Sequence, residues 1–219
     1  MGGTIRILEV SALQYLSTAV ITEAEAAAGP TDSTPPDGAD PDALIVAATR
    51  VWLERAVIGL HLCPFADAAH RGGRIRYRVS ACTTAAALLE DLRVELLWLR
   101  SEDPARCETT LLIHPSTLDD FLDYNDFLSE CDAVLEELDL LGELQIASFH
   151  PRYQFAGTAP EDIENYTNRS PYPMLHLLRE SSVERAMEVC PDTTAIYRRN
   201  VLTLRTLGIA GWERLWRAT

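Results

Sequence analysis

Two short apolar runs end alike: Thr109-Thr-Leu-Leu-Ile-His114-Pro115, and Glu143-Leu-Gln-Ile-Ala-Ser-Phe-His150-Pro151. Each is rich enough in aliphatic and β-branched residues for a strand, and each is stopped by a proline that has no N–H for the ladder. The chain between them predicts a helix over about 117–137, with Ser116 and Asp119 approximating a capping box. A third run, Arg74–Ser80, alternates Ile75, Tyr77 and Val79 with arginines, the pattern of a strand exposed on one side. Residues 85–100 place Leu89, Leu92, Leu96 and Leu99 on one helical stripe after a threonine cap. Strands separated by helices of this length favour parallel crossovers. The fold class is therefore α/β, a small, mainly parallel sheet of three to four strands with flanking helices. An α+β arrangement, with "RIRYRVS" as an antiparallel edge, is the alternative.

The flanks carry further helices. Residues 43–61 have a broad apolar surface and an Arg50–Glu54 pair at i,i+4. Thr158 and Glu161 form a second capping box, with Pro160 in the first turn of a short helix that Ser170-Pro171 breaks. Helices over about 172–189 and 193–207 make a C-terminal helical segment, capped by Asp192 and stopped by Gly208. Residues 24–42 are rich in Ala, Pro, Gly and Asp with almost no large apolar groups, which predicts a flexible linker. The expected organisation is an N-terminal extension and linker over 1–40 and a single α/β domain over 41–219.

Composition removes several functions. A net charge of −14 opposes a broad contact with nucleic acid or with an acidic membrane surface. The chain has no lysine, all 19 basic residues being arginine, so a Schiff base, a pyridoxal-phosphate anchor and a phosphate-loop lysine are excluded. The 5 cysteines are scattered without a CxxC, which fits reduced thiols in a cytoplasmic protein. No apolar run approaches membrane-spanning length.

Polar residues converge where the strands end. On parallel neighbouring strands, His114 and His150 would share the carboxyl edge, where open α/β sheets bind ligands. His61 and Cys63, in "GLHLCPF", repeat the syntax of a polar side chain before a proline. Neutral imidazoles serve as general acids or bases, or ligate zinc or iron with Cys63 or a carboxylate completing the set. Cys63 beside a histidine would be a thiolate nucleophile. Against this, a strand-end histidine can simply cap a loop by bonding a backbone carbonyl. His70 reads as exposed loop and His176 as mid-helix, both structural.

After His150, the residues Tyr153, Asn168, Arg169, Tyr172 and Arg179 stand among prolines that stiffen the loop into a polar wall. A fixed Arg169 in an acidic protein points to a carboxylate or phosphate ligand. His150 with Arg169 would place a proton-transfer group beside an anion clamp. Two functions follow: an enzyme acting on a small anionic metabolite, or a non-catalytic ligand-binding or interaction domain.

The phrases "WLERAVIGLHLCPFA", "FLDYNDFL", "ELQIASFHPRYQFAGT" and "NYTNRSPYPMLHLLRE" resemble a family of uncharacterised bacterial proteins, domain-of-unknown-function family 1415, over about residues 45–208. The resemblance implies a soluble bacterial protein and brings no activity with it.

Overall fold

The structure, a computed structural model, describes residues 40–189 and 193–217. The extension and most of the linker, Cys190 and the Asp192 cap lie outside the described residues.

Helix α1 (Pro41–Trp52) opens at Asp40, whose carboxylate accepts from the Asp42 N–H at 3.1 Å. It runs into a π-helical turn, Leu53–Ile58, in which Gly59 N donates to Glu54 O. The wide turn closes on Gly59, where a Cβ would collide with the Arg55 carbonyl. Then come α2 (Ala66–Arg71), β1 (Ile75–Val79), α3 (Ala85–Ser101), β2 (Thr109–Ile113), α4 (Phe121–Glu137), β3 (Leu144–Phe149), a 3-10 turn (Ile163–Thr167), β4 (Met174–Arg179), α5 (Glu180–Val189) and α6 (Thr193–Arg214). Gly208, at φ 65°, breaks α6 where the sequence predicts its stop, and the chain then turns helical again.

The α/β reading holds, but the sheet is mixed. Its order is β1-β2-β4-β3, with β1 parallel to β2 and β4 antiparallel to both its neighbours. The antiparallel strand is therefore central, not the "RIRYRVS" edge. It comes from Met174–Arg179, which the sequence reading assigns to a helix. The physical reason is two-sided burial. Leu175 and Leu177 join the core under α3 and α4, while Met174 joins the core under α1, so the run lacks the alternation that marks a half-exposed strand.

Two other boundaries shift. Asp120, not Ser116, caps α4, accepting from Leu122 N at 2.8 Å. The Thr158 hydroxyl spends its bonds on Phe155 O and Asn165 Oδ1, so no helix starts there and the segment folds into the 3-10 turn.

Two cores result. On one face, α3 and α4 cover Leu112, Leu144, Ile146, Leu175 and Leu177. On the other, α1, the π turn and α6 cover Val79, Leu111, Ile113 and Met174 with Trp52, Leu204 and Trp212.

Candidate functional site

His114 and His150 do reach one edge of the sheet, since β2 and β3 both run against β4, which separates them. Both rings are fully buried and pack on α4: His114 stacks on Tyr124 with centroids 5.8 Å apart, and His150 lies 5.1 Å from the same ring and 5.5 Å from Phe121. The Tyr124 hydroxyl sits between the strands, donating to Met174 O at 2.9 Å and accepting from Phe149 N at 3.2 Å.

The bonds fix both tautomers. His114 Nδ1 lies 2.9 Å from Thr117 O and must donate to it, which leaves a buried Nε2 lone pair with no partner among the described residues. His150 Nδ1 accepts from Arg152 N at 3.0 Å, so Nε2 carries the proton and donates to Leu118 O at 3.2 Å. Leu118 has φ 57°, a left-handed conformation that a branched side chain resists, and the His150 bond holds its carbonyl in place. Desolvation pulls both histidines down to a pKa of about 4, so at neutral pH both are uncharged. The arrangement is that of two loop caps.

Of the other expected site residues, Asn168 and Tyr153 stay beside His150, the Asn168 carbonyl accepting from His150 N and Tyr153 N donating to His150 O, while the rest disperse. Arg169 donates to Tyr153 O at 3.2 Å and to Pro160 O, and its guanidinium lies over the Tyr166 ring, 4.3 Å from the centroid. Tyr166 in turn packs on Trp212 of α6, whereas the His150 imidazole packs on Phe121 and Tyr124 of α4. Asn168 braces Ser148 O at 3.1 Å. Tyr153 is buried against Phe121 and Phe155, and Tyr172 packs into the α1-side core. Arg179 is buried and gathers the carbonyls of Leu99, Glu102 and Cys107 at the end of α3. His61 is exposed in a left-handed turn, with its carbonyl held by Arg199. Cys63 belongs to the α1-side core, across the sheet from the two histidines. Among the described residues, no three His, Cys, Asp or Glu side chains gather as metal ligands.

A cavity does lie on the Cys63 side. It measures about 70 Å³. Its floor is the sheet, through Leu111, Leu178, Phe149 and His176, and its walls are Trp52, Leu53 and Val57 of the α1–π segment, Cys63, α2 and the start of α5. π turns are over-represented at functional sites because the extra residue re-aims a side-chain row, and here Leu53 and Val57 face the space. Burial raises the Cys63 thiol above its ordinary pKa despite hydrogen bonds from Phe65 and Ala66, so it is no thiolate at neutral pH.

His176, read from the sequence as a structural mid-helix residue, is a polar group of that floor, beside Thr109. It keeps part of its surface, yet desolvation alone lowers its pKa to about 4. The ring borders the apolar cavity, whose walls supply that desolvation. Glu108 also borders the space. Its Oε2 lies 2.6 Å from Arg74 Nη1, a charge contact off the line of a hydrogen bond, and Arg185 stands 3.7 Å from Oε1. His114, His150 and Arg169 border neither this cavity nor the polar hollow beside Trp98.

Fold and site thus define a mixed-sheet α/β domain with an apolar space between the sheet and the α1–π segment, bordered by a histidine. The model of the family described as "Protein of unknown function (DUF1415)" matches residues 44–214, and the chain belongs to that family. Neither a curated protein nor a solved structure matches it. No helix among the described residues is long and apolar enough to cross a membrane.

Proposed function

We propose that this domain is a ligand-binding module that takes a small, mainly apolar molecule, or the apolar end of a longer one, into the cavity between the sheet and the α1–π segment. The observation that carries this reading is a space walled by aliphatic and aromatic side chains with one convergent imidazole. Its volume is about half that of the roughly 150 Å³ cavities that hold benzene, so the bound part has only a few heavy atoms. The charge of −14 keeps nucleic acid off the list of partners, and the four described cysteines, all free thiols, fit a reducing bacterial cytoplasm. Nuclear magnetic resonance titration of the full chain with propan-2-ol tests it: amide shifts should cluster at Leu53, Val57, Ala66 and Val183, and Ala66→Met should abolish them.

One observation favours a second reading, an enzyme acting on a small anionic metabolite: the unpartnered Nε2 of His114, a buried base waiting for a proton donor. Its test is a metabolite screen in which His114→Gln loses any turnover found.

A further inference from the structure

The hydrogen bonds around His176 decide which end of a ligand the cavity accepts. Thr109 Oγ1 lies 2.6 Å from Leu177 O, and a carbonyl only accepts, so the hydroxyl proton points there. The same oxygen lies 2.7 Å from His176 Nε2. With its proton committed, Thr109 can only accept, so Nε2 carries the imidazole hydrogen. The neutral ring then presents a lone pair on Nδ1, for which the described residues supply no hydrogen-bond partner. The ring is part-exposed and borders the cavity, so the space offers a hydrogen-bond acceptor and no matching donor from that ring.

We infer that the cavity selects an uncharged ligand carrying a hydroxyl or comparable N–H donor, with His176 accepting its proton and Thr109 fixing the tautomer. This rests on the cavity reading above and deepens it. An anion would bring acceptors to an acceptor, in an apolar space already bordered by the Glu108 carboxylate. A ketone or ether of the same shape would leave the Nδ1 lone pair unpaired, even where the Ser182 hydroxyl or the Cys63 thiol of the lining meets its own oxygen. A hydroxyl pairs with Nδ1 and can accept from either.

The test uses the isosteric probes propan-2-ol, acetone and acetate, titrated against the full chain by nuclear magnetic resonance, together with the ring-nitrogen shifts of His176. The expected result is an Nε2–H tautomer at neutral pH, with propan-2-ol bound about tenfold more tightly than acetone and acetate weaker still. His176→Phe keeps a ring and removes the lone pair, so it should bind the alcohol and ketone equally. Thr109→Val frees the tautomer and should collapse the preference even where the histidine variant folds poorly. Equal affinities in the unaltered protein, or an Nδ1–H tautomer, overturn the donor selectivity and leave the cavity reading standing. No shift at any lining residue with any of the three probes overturns the cavity reading itself.

Discussion

The two faces of the sheet treat their histidines in opposite ways. Under α4, His114 and His150 are wholly enclosed with Tyr124, and their nitrogens hold the loop that carries the left-handed Leu118. Under α1 and α2, His176 keeps open surface, because the chain leaves a gap that no side chain fills. The same residue type, uncharged at neutral pH on both faces, is a fastener on one and borders a cavity on the other. What separates them is packing. A close-packed interior turns polar atoms into structural commitments, whereas a void leaves one available.

The contrast is broken most directly at Tyr124. Tyr124→Ala should lower stability by about 4 kcal/mol, read as a shift in the chemical denaturation midpoint, because a buried ring and two backbone anchors are lost together. His150→Leu keeps the volume but strands Leu118 O and Arg152 N, and should cost about 2 kcal/mol in the same experiment. On the open face, Ala66→Met should change stability by less than about 1 kcal/mol, since the flexible side chain enters existing space. A cost there equal to that of Tyr124→Ala would erase the distinction between sealed and open faces.

Acid sharpens it. His114, His150 and His176 have folded pKa values of about 4, below the ordinary imidazole value of about 6.5, so the unfolded chain binds more protons between the two. Their contribution to stability is thus complete above pH 6.5 and is lost as pH falls towards 4. Denaturation midpoints measured across that window should fall steadily, with a shallower slope in His114→Asn. The smallest effect belongs to the cavity: a bound neutral alcohol should steepen the slope slightly, because protonating His176 would then also displace its ligand, and the difference should vanish in His176→Phe.

Much of this was legible in the chain. The syntax of "LLIHP" and "ASFHP" located two strand ends that do share an edge, and the alternation in "RIRYRVS" located β1. The site was less legible. Arg169, Asn168 and Arg179 look like ligand groups in sequence because their charge and amide chemistry is written there, but their partners are backbone carbonyls supplied by distant segments. The place of His176 is not legible because "MLHLLR" is buried on both faces, so nothing in its pattern distinguishes a central strand from a helix.

The sequence by itself determined the α/β class, the helix stripes, the absence of lysine chemistry and the positions where strands stop at His-Pro, all of which depend on local periodicity, composition and backbone chemistry. The tertiary structure decided that β4 enters the middle of the sheet, that the two His-Pro histidines become fasteners, and that the third faces a cavity. Those outcomes depend on which surfaces meet across long stretches of chain. Whether an imidazole is spent on a carbonyl or left facing a void is settled only when the last neighbour packs against it.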